Sequence, residues 1–449
     1  MTASLILGID PAKEKFTAAF LTADAPAGEP GRDFPMTRAG LETLGQAIAG
    51  RLIHGQRLVV GVEATAALDD NLLAWLQEQR SSRWPLKLIR LDPGQVARFS
   101  GARPVRGKTD KADARRIARF TAAYADQLDA FDRDAQVQAM ARLVRERAGL
   151  VQQATALKNR LNDRLVISWP EFTQLFDDPA KPLARAVLRA VPTAAQAARK
   201  RADALARIKP RGERTHALGQ ARAARLRELA TGSIASATSQ DDAQALVCLL
   251  DQLELIERRV TAIERRLIQA QAQTGDAAAD GAKPSIARQI GRLDAMRGIG
   301  PVGAASIVLL AGGLGRFTGP KALAAQMGAC PDRLQTGKSS DKGRLTQRGD
   351  RRARSMLYLL TKTMVWFDPG LAFHKWLLMG RGLKPKQAEC GCMNRLARIV
   401  WAVGTGKEPY DPRRLILNAQ RHHPRQWQAF VQQTRHNRKL WKNHEEFLA

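Results

Sequence analysis

The sequence has little cysteine, and its cysteines form neither a disulfide framework nor a zinc motif. Only four occur in 449 residues, which favours a reducing compartment over a secreted disulfide scaffold. Cys390 and Cys392 form a Cys-x-Cys pair. No second pair and no neighbouring histidine accompany it, so the sequence does not predict a zinc site.

Long apolar runs are also missing. No stretch of about 18 consecutive apolar residues occurs, so the sequence does not predict a membrane-spanning helix. The first ten residues, MTASLILGID, have no basic segment before their apolar run, and they therefore do not predict a secretion signal. Together with the low cysteine content, these absences favour a cytoplasmic protein.

Acidic residues are scarce relative to basic ones. The chain has 72 Lys+Arg against 43 Asp+Glu, which gives a formal net charge of +29 and a pI near 10.9. Such an excess indicates an anionic partner, either nucleic acid or an anionic membrane surface. The length allows two or three domains, each with its own core. The first interpretation is therefore a cytoplasmic, nucleoid-associated protein that binds nucleic acid.

Two acidic residues stand at the ends of β-rich runs in the first part of the chain. SLILGID ends at Asp10, and RLVVGVEA carries Glu63 near its end. KFTAAFLTA and RDFPM are predicted to be antiparallel neighbours of the first run, and LKLIRLD a further strand, with helices between the later strands. This order predicts an α/β domain in which helices pack against a mixed sheet.

Two further acids begin a predicted helix. In GKTDKADARRIARF, Thr109 is a candidate N-cap, and Asp110 and Asp113 are three residues apart, so both carboxylates project from one face of a helix. If this helix packs on the sheet near Asp10 and Glu63, four carboxylates meet and offer the oxygen ligands that Mg²⁺ and Mn²⁺ prefer. The alternatives are solvated loop acids and an exposed helix of alternating charge.

Three short blocks resemble a known family. GIDPAKEK, VGVEAT and RGKTDKADARRIA are similar, in residue type and order, to the three blocks of the DEDD transposases. This insertion-sequence family is often called IS-one-ten and includes the Piv-type DNA invertases. The resemblance implies an RNase H-like N-terminal domain similar to the Holliday-junction resolvase RuvC. It also implies a catalytic, metal-binding tetrad at Asp10, Glu63, Asp110 and Asp113, with Mg²⁺ (or Mn²⁺) as cofactor.

Apolar residues recur at helical spacing in the middle of the chain. Leucines repeat every seven residues between about 135 and 168, and a second set follows the 3-4-3-4 spacing of a coiled coil. The second set is Leu246, Leu249, Leu253, Ile256, Val260, Ile263, Leu267 and Ala270. The seam lies either within one chain, as a two-helix hairpin, or between subunits. For the basic, Ala- and Arg-rich stretch at 178–237 we expect short solvated helices along nucleic acid, partly disordered.

A glycine-rich turn follows a linker at 273–287. Gly298, Gly300 and Gly303 surround Pro301 and predict a tight turn that opens a helix. The turn looks like a helix-hairpin-helix, whose backbone amides can hold a DNA phosphate; the alternative is a core helix with a glycine-rich entry. The family carries such a turn at the start of its C-terminal transposase domain.

A basic, hydroxyl-rich block resembles the most recognisable part of that C-terminal domain. RFTGPKALAAQMGACPDRLQTGKSSDKGRLTQRGDRRARSMLYLL has the composition of a phosphate-binding loop, and of an ordinary surface loop as well. The family places a serine nucleophile in a Ser-Gly pair here, and the matching pair is Thr336-Gly337. A threonine hydroxyl can attack phosphorus, although its methyl group crowds the approach. Thr336 is the candidate nucleophile, Ser339 and Ser340 are alternatives, and loss of cleavage is the third option.

These patterns predict four regions. They are a RuvC-like catalytic domain at 1–127, a helical and coiled-coil region at 128–287, a small α-helical transposase domain at 288–414 and a basic tail at 415–449, read as an added helix. The segment KPKQAECGCMNRLARIVWAVGTGKEPYDPRR resembles the closing helix of the family and its Tyr-Asp-Pro ending.

The expected function is that of a DNA transposase or site-specific recombinase. The resemblance implies a homo-oligomer, a dimer or tetramer, in which the nucleophile completes a composite site and forms a covalent phospho-hydroxyl intermediate. It also implies a structured guide RNA that selects DNA targets by base pairing. Two other interpretations stay open: a descendant that binds nucleic acid without cutting it, and a RuvC-like resolvase that uses the tetrad and water.

Overall fold

The chain divides into two units, Met1–Ala135 and Gln136–Ala449. The computed structural model describes residues 4–22, 25–65, 68–99, 109–132, 134–212, 216–273, 284–332, 344–346, 349–406 and 408–448. Among the helices that it describes, none is both long and apolar enough to cross a membrane.

The first unit is built around a five-stranded mixed sheet. Its strands are β1 (Leu5–Pro11), β2 (Lys15–Leu21), β3 (Arg32–Pro35), β4 (Leu58–Glu63) and β5 (Leu86–Leu91). The spatial order is β3-β2-β1-β4-β5. The first three strands pair antiparallel, whereas β4 and β5 run parallel to β1. The predicted mixed sheet is therefore confirmed.

Helices accompany this sheet as the alternation of strands and helices predicts. They are α1 (Arg38–Ala49), α2 (Asp70–Ser82), α3 (Pro93–Phe99) and α4 (Asp110–Tyr124). Thr37 caps α1 by accepting a hydrogen bond from the Gly40 amide at 3.2 Å. The sequence did not predict the short helix α3. Its first residue is Pro93, and the fixed φ of proline favours the first position of a helix.

Alternate residues of the strands face two different cores. Leu7 and Ile9 of β1 lie in the core shared with α1 and α2, whereas Ile6 lies in the core that Ile117 and Phe120 of α4 complete. Because side chains alternate along a strand, Asp10 lies on the same face as Ile6, and Glu63 on the same face as Val59. Both acids are therefore on the face of the sheet covered by α4.

Two long helices organise the second unit. α5 (Ala135–Ser168) and α10 (Gln240–Gln273) are joined by ion pairs whose order is reversed along the two helices. Arg147 pairs with Glu264, Lys158 with Glu257 and Arg164 with Asp242. The two helices are therefore antiparallel.

The apolar positions predicted to form a coiled-coil seam on α10 contact α5 of the same chain. Leu246, Leu253 and Leu267 are buried, and Leu249 and Leu253 pack against Ala154 and Leu157 of α5. These contacts favour the intramolecular hairpin, one of the two alternatives that the spacing left open. Whether subunits associate stays a prediction.

The basic stretch between these helices has its own core, so the expectation of partial disorder is wrong for its described residues. It forms α6 (Pro182–Ala190), α7 (Ala194–Arg199), α8 (Ala202–Ala206) and α9 (Gln220–Thr231). Leu188, Leu205 and Leu226 pack there with Trp169 and Phe172. Alanines of these helices are buried in the same core. Their small side chains allow the short helices to pack closely against one another.

The remaining helices form a second core further along the chain. They are α11 (Ile286–Asp294), α12 (Pro301–Ala311), α13 (Pro320–Gln326), α14 (Arg351–Met364), α15 (Pro369–Gly380) and α16 (Pro385–Thr405). α12 is buried along most of its length. Gly300 is its N-cap and Pro301 its first residue, so the predicted turn does join two helices. Its use in DNA binding stays a prediction.

The last residues are not the single added helix that the sequence suggested. They form α17 (Arg413–His422), α18 (Pro424–Thr434) and α19 (Arg438–Trp441). A new helix starts at Pro424 because proline cannot continue the interior of α17. Trp427, Phe430 and Trp441 pack on Phe373 of α15, and Tyr410 donates a hydrogen bond to the buried carboxylate of Asp368, the N-cap of α15. The tail is therefore part of the second unit.

Candidate active site

Two of the four predicted acids lie side by side at one edge of the sheet. β1 and β4 are parallel, with Gly8 opposite Gly61 and Ile9 opposite Val62. Asp10 and Glu63 are the next residues after this pair, within the C-terminal ends of the same two strands. The strand register alone therefore brings these two carboxylates together, as the sequence predicted.

Two glycines allow α4 to approach the same edge. A Cβ atom at Gly8 would lie 2.2 Å from the Ala118 amide nitrogen, and one at Gly61 would lie 1.9 Å from the Thr121 hydroxyl. Any other residue would push α4 away from the sheet. Because Gly8 precedes Asp10 by two residues and Gly61 precedes Glu63 by two, each glycine shares a face with its acid.

The first turn of α4 carries the other two acids. Thr109 caps the helix by accepting a hydrogen bond from the Ala112 amide at 3.3 Å, as predicted. Asp110 and Asp113 both lie in the first turn, where the helix dipole stabilises negative charge. Asp113 is buried, whereas 58% of the Asp110 side chain is exposed.

The acids are close enough for their charges to interact. The pKa of Asp10 is raised to about 6 by burial and then, in decreasing order, by the negative charges of Glu63, Asp113 and Asp110, while Arg116 opposes this rise. The other three predicted acids therefore all act on Asp10, although they are far apart in the sequence.

Basic side chains of the same unit pair with two of the acids. Arg116 binds Asp113 at 2.9 Å, and Lys15 Nζ lies 3.4 Å from Asp110 Oδ2. Lys15 also binds Asp33, 2.8 Å away, and Asp33 accepts a second hydrogen bond from Thr17 at 2.7 Å.

Lys15, Asp33 and Arg116 were not among the predicted site residues. The register of β2 against β3, which places Thr17 opposite Asp33, is the feature that would have revealed this extra acid. Lys15 and Asp33 also line an open cavity of about 550 Å³.

The chemistry of the donors fits a divalent cation. Four carboxylates supply hard oxygen ligands of the kind that Mg²⁺ and Mn²⁺ prefer, and their mutual repulsion is what a cation would relieve. Within the described residues, no group of three or more acidic, histidine or cysteine side chains is already arranged to hold a metal ion. Ion pairs with Lys15 and Arg116 occupy Asp110 and Asp113 instead.

The candidate nucleophiles Thr336, Ser339 and Ser340 lie outside the described residues. The structure does describe the residues on both sides of their segment. The two-residue strands β6 (Pro331–Asp332) and β7 (Arg344–Leu345) pair antiparallel, and the Thr346 amide donates to the Cys330 carbonyl at 3.0 Å. The described residues on the two sides of this segment therefore lie next to each other.

Sequence comparisons match both parts of the chain to transposases. Residues 7–170, which include all four acids, match a DEDD transposase family of the IS110 type, and residues 291–375 match the transposase IS116/IS110/IS902 family. An uncharacterised 44.8 kDa protein of insertion element IS116 from Streptomyces clavuligerus is 30% identical over 328 residues, which are 71% of this chain and 77% of that protein. A probable family 20 transposase of Pseudomonas aeruginosa is 30% identical over 167 residues, 36% of this chain and 46% of its own length.

Proposed function

Because this chain belongs to the IS116/IS110/IS902 family of transposases, we propose that it cuts and rejoins the DNA of an insertion sequence with a divalent cation bound by its four acids. The observation that carries this proposal is the convergence of Asp10, Glu63, Asp110 and Asp113: burial, and then the negative charges of the other three acids, raise the pKa of Asp10 to about 6. The mixed sheet that positions them supports an RNase H-like assignment for the first unit.

The four acids would hold that cation from different positions in the fold. Asp10 and Glu63 are fixed by the two strands, and Asp113 is buried on α4, so these three form the inner part of the site. Asp110 is exposed at the rim, where Lys15 contacts it. Mg²⁺ or Mn²⁺ bound there would activate the attacking oxygen and stabilise the charge that develops at phosphorus.

The proposed nucleophile is the hydroxyl group of Thr336, with Ser339 and Ser340 as alternatives. Its oxygen forms a bond to phosphorus while the bond from phosphorus to one deoxyribose oxygen breaks, and the released oxygen takes up a proton. The second unit supplies this hydroxyl, from the same or another subunit of a homo-oligomer. The covalent intermediate keeps the phosphodiester bond energy for the rejoining step.

Exposed basic residues of α7–α9 and the segments between them are proposed to hold the nucleic acid, including a structured guide RNA. Some of the arginines in this region are paired within the chain, such as Arg201 with Asp203 and Arg225 with Glu228. Others are exposed and form no ion pair with an acid in the part of the chain that the structure describes. These are Arg199, Lys200, Arg207, Lys209, Arg211, Arg222 and Arg227.

The proposal is tested with Asp110→Asn, since the exposed Asp110 side chain is not needed for packing. Mg²⁺-dependent cleavage of DNA carrying the element ends should fall by about 10³-fold, because metal-ion catalysis contributes several kcal/mol. Binding of the same DNA should hardly change. Asp126→Asn, at an exposed acid beyond the end of α4, is the matched control and should cleave like the wild type. Normal cleavage by Asp110→Asn would refute the metal site.

A further inference from the structure

A cluster of basic residues occurs in the second unit, where α15, α16 and the junction of α17 and α18 meet. We call its members, His374, Arg381, Arg395 and His423, the basic cluster. Arg395 Nη1 lies 3.3 Å from His374 Nδ1. Arg381 is the C-cap of α15, and the ring of His423 is 6.1 Å from that of Phe373, the residue before His374.

The contact between Arg395 and His374 determines which nitrogen of the imidazole carries its proton. A guanidinium group has donors only, so Nδ1 of His374 must accept and the ring must be neutral, with its proton on Nε2. The pKa of His374 agrees, since it is lowered to about 4 by burial and then by the positive charges of Arg395, Arg381 and His423. His374 therefore presents an N–H donor from within a positively charged group.

No carboxylate of the described residues forms an ion pair with any member of the basic cluster. Neighbouring cations behave differently, since Lys375 on α15 binds Glu389 on α16 at 2.7 Å and Arg414 pairs with Glu408. The C-terminal end of α15 favours a cation at Arg381, but this does not account for Arg395. The cluster thus combines several N–H donors with an excess of positive charge and no acidic partner.

We propose that the basic cluster binds one phosphate group of a nucleic acid backbone. Phosphate oxygens accept hydrogen bonds from guanidinium and imidazole N–H groups, and arginine matches their geometry in particular. A phosphodiester is favoured over a protein carboxylate by the net charge of +29 and by the exposed basic residues of α7–α9. The inference rests on the proposed function in one respect, because that function supplies the nucleic acid.

The test uses Arg395→Gln and Arg381→Gln, with Arg435→Gln as the matched control. Arg435 is an exposed cation at the end of α18, outside the basic cluster. Affinity for a DNA duplex carrying the element ends and for the structured RNA encoded beside the gene is measured from 50 to 300 mM salt. In at least one of these two arms, Arg395→Gln should weaken binding by about tenfold. It should also reduce the slope of log affinity against log salt by about 0.9 for the duplex or about 0.7 for single-stranded segments.

If the variants weaken binding of the DNA duplex, the phosphate belongs to DNA; if they weaken binding of the RNA, it belongs to RNA. Arg381→Gln, at an exposed position, should change the slope in the same direction without affecting the fold, and Arg435→Gln should leave it unchanged. Slopes equal to the wild type in both arms, for both cluster variants, would overturn the inference. A steep wild-type slope in that experiment would still support nucleic-acid binding, so the two proposals can fail separately.

A second measurement separates a backbone phosphate from free phosphate. Inorganic phosphate should raise the melting temperature of the wild type more than sodium chloride of equal ionic strength does, and this difference should vanish in Arg395→Gln. Stabilisation by inorganic phosphate without any change in the nucleic-acid slopes would also overturn the proposal, since the cluster would then bind only the free ion.

Discussion

The four acids form an acidic group and the basic cluster a basic one, yet their ion pairs within the chain differ. Lys15 and Arg116 pair with two of the acids, so the chain partly neutralises this site itself. The basic cluster has no acidic partner among the residues that the structure describes, and Arg395 contacts His374 instead. On the two proposals above, the acids exchange these internal cations for a metal ion, whereas the basic cluster takes an anion from outside the chain.

Charged groups elsewhere in the second unit show what ordinary structural pairing looks like. Arg185 binds Glu257 at 2.6 Å, and Arg189 binds both Asp251 and Glu254. These pairs join α6 to α10. Together with Lys158, which also binds Glu257, they balance three positive charges against three negative ones. A group of acidic or of basic residues that the fold brings together, and does not fully pair, is therefore the feature that marks a site for an external ion.

The largest expected effect concerns the proposed nucleophile. If Thr336 attacks phosphorus, a covalent protein–DNA adduct should be trapped on a nicked suicide substrate, and Thr336→Ala should abolish it. Thr336→Ser should match or exceed the wild type, because the methyl group no longer crowds the approach. The readout is a shifted band in denaturing gels, with mass spectrometry of the cross-linked peptide.

Each other outcome of this experiment has a defined meaning. Loss of the adduct only in Ser339→Ala or Ser340→Ala would move the nucleophile along the segment. Tryptic cleavage after Lys338 separates Thr336 from these serines. Mg²⁺-dependent nicking without an adduct in any variant would make water the nucleophile, as in a junction resolvase.

The next effect tests whether phosphate contacts extend beyond the basic cluster. If six to ten phosphates are neutralised, affinity should fall by about 10³ or more between 50 and 200 mM salt. Replacing Arg207, Lys209 and Arg211 together with glutamine should reduce the salt slope for a duplex by about 2 to 3. Fluorescence anisotropy measures both quantities. A flat salt response would exclude these exposed residues as a binding surface.

A smaller effect measures the repulsion among the acids. The fold raises the pKa of Asp10 to about 6, so at pH 7.5 its charged form destabilises the folded state. Asp10→Asn should therefore stabilise the first unit in EDTA by about 1–2 kcal/mol, a value reduced for partial exposure. Slower hydrogen exchange in β1 and β4 would show this gain. Faster exchange would mean that the charge of Asp10 has a stabilising partner within the chain.

The smallest effect concerns the internal cation of the acidic site. Lys15 competes with a metal ion for Asp110, so Lys15→Gln should tighten Mg²⁺ binding by about two- to fivefold. Lys13→Gln is the matched control, since Lys13 is exposed on the same turn and forms no ion pair in the described structure. Titration calorimetry gives both affinities. Weaker binding in Lys15→Gln would show that Lys15 positions Asp110 rather than competes for it.

Sequence patterns predicted the first unit well because its signals are local. Four of the five strands are short apolar runs, and Asp10 and Glu63 lie at the C-terminal ends of two of them. Thr109 marks the start of α4 by its capping chemistry. The roles of Gly8 and Gly61 in admitting α4, and the pairing of Lys15 with Asp33, depend on strand register. Register is a property of contacts between segments and could not be read from any single segment.

The second unit was predicted less well for physical reasons that differ from place to place. The stretch at 178–237 looked solvated because of its arginines, but its alanines are buried, as Ala184 and Ala223 show. The basic cluster comes from four positions between 374 and 423 with no common motif. Only the packing of four helices brings those residues together.

The most direct test of the central claim is to map a metal ion bound to the four acids. Fe²⁺ replaces Mg²⁺ in the purified protein, and peroxide then cuts the backbone next to the bound ion. The account predicts cuts at three separate segments, near Asp10, near Glu63 and at the start of α4, and predicts that Asp10→Asn and Asp113→Asn lose all three together. Cuts that are absent from these segments, or that persist unchanged in both variants, would contradict it.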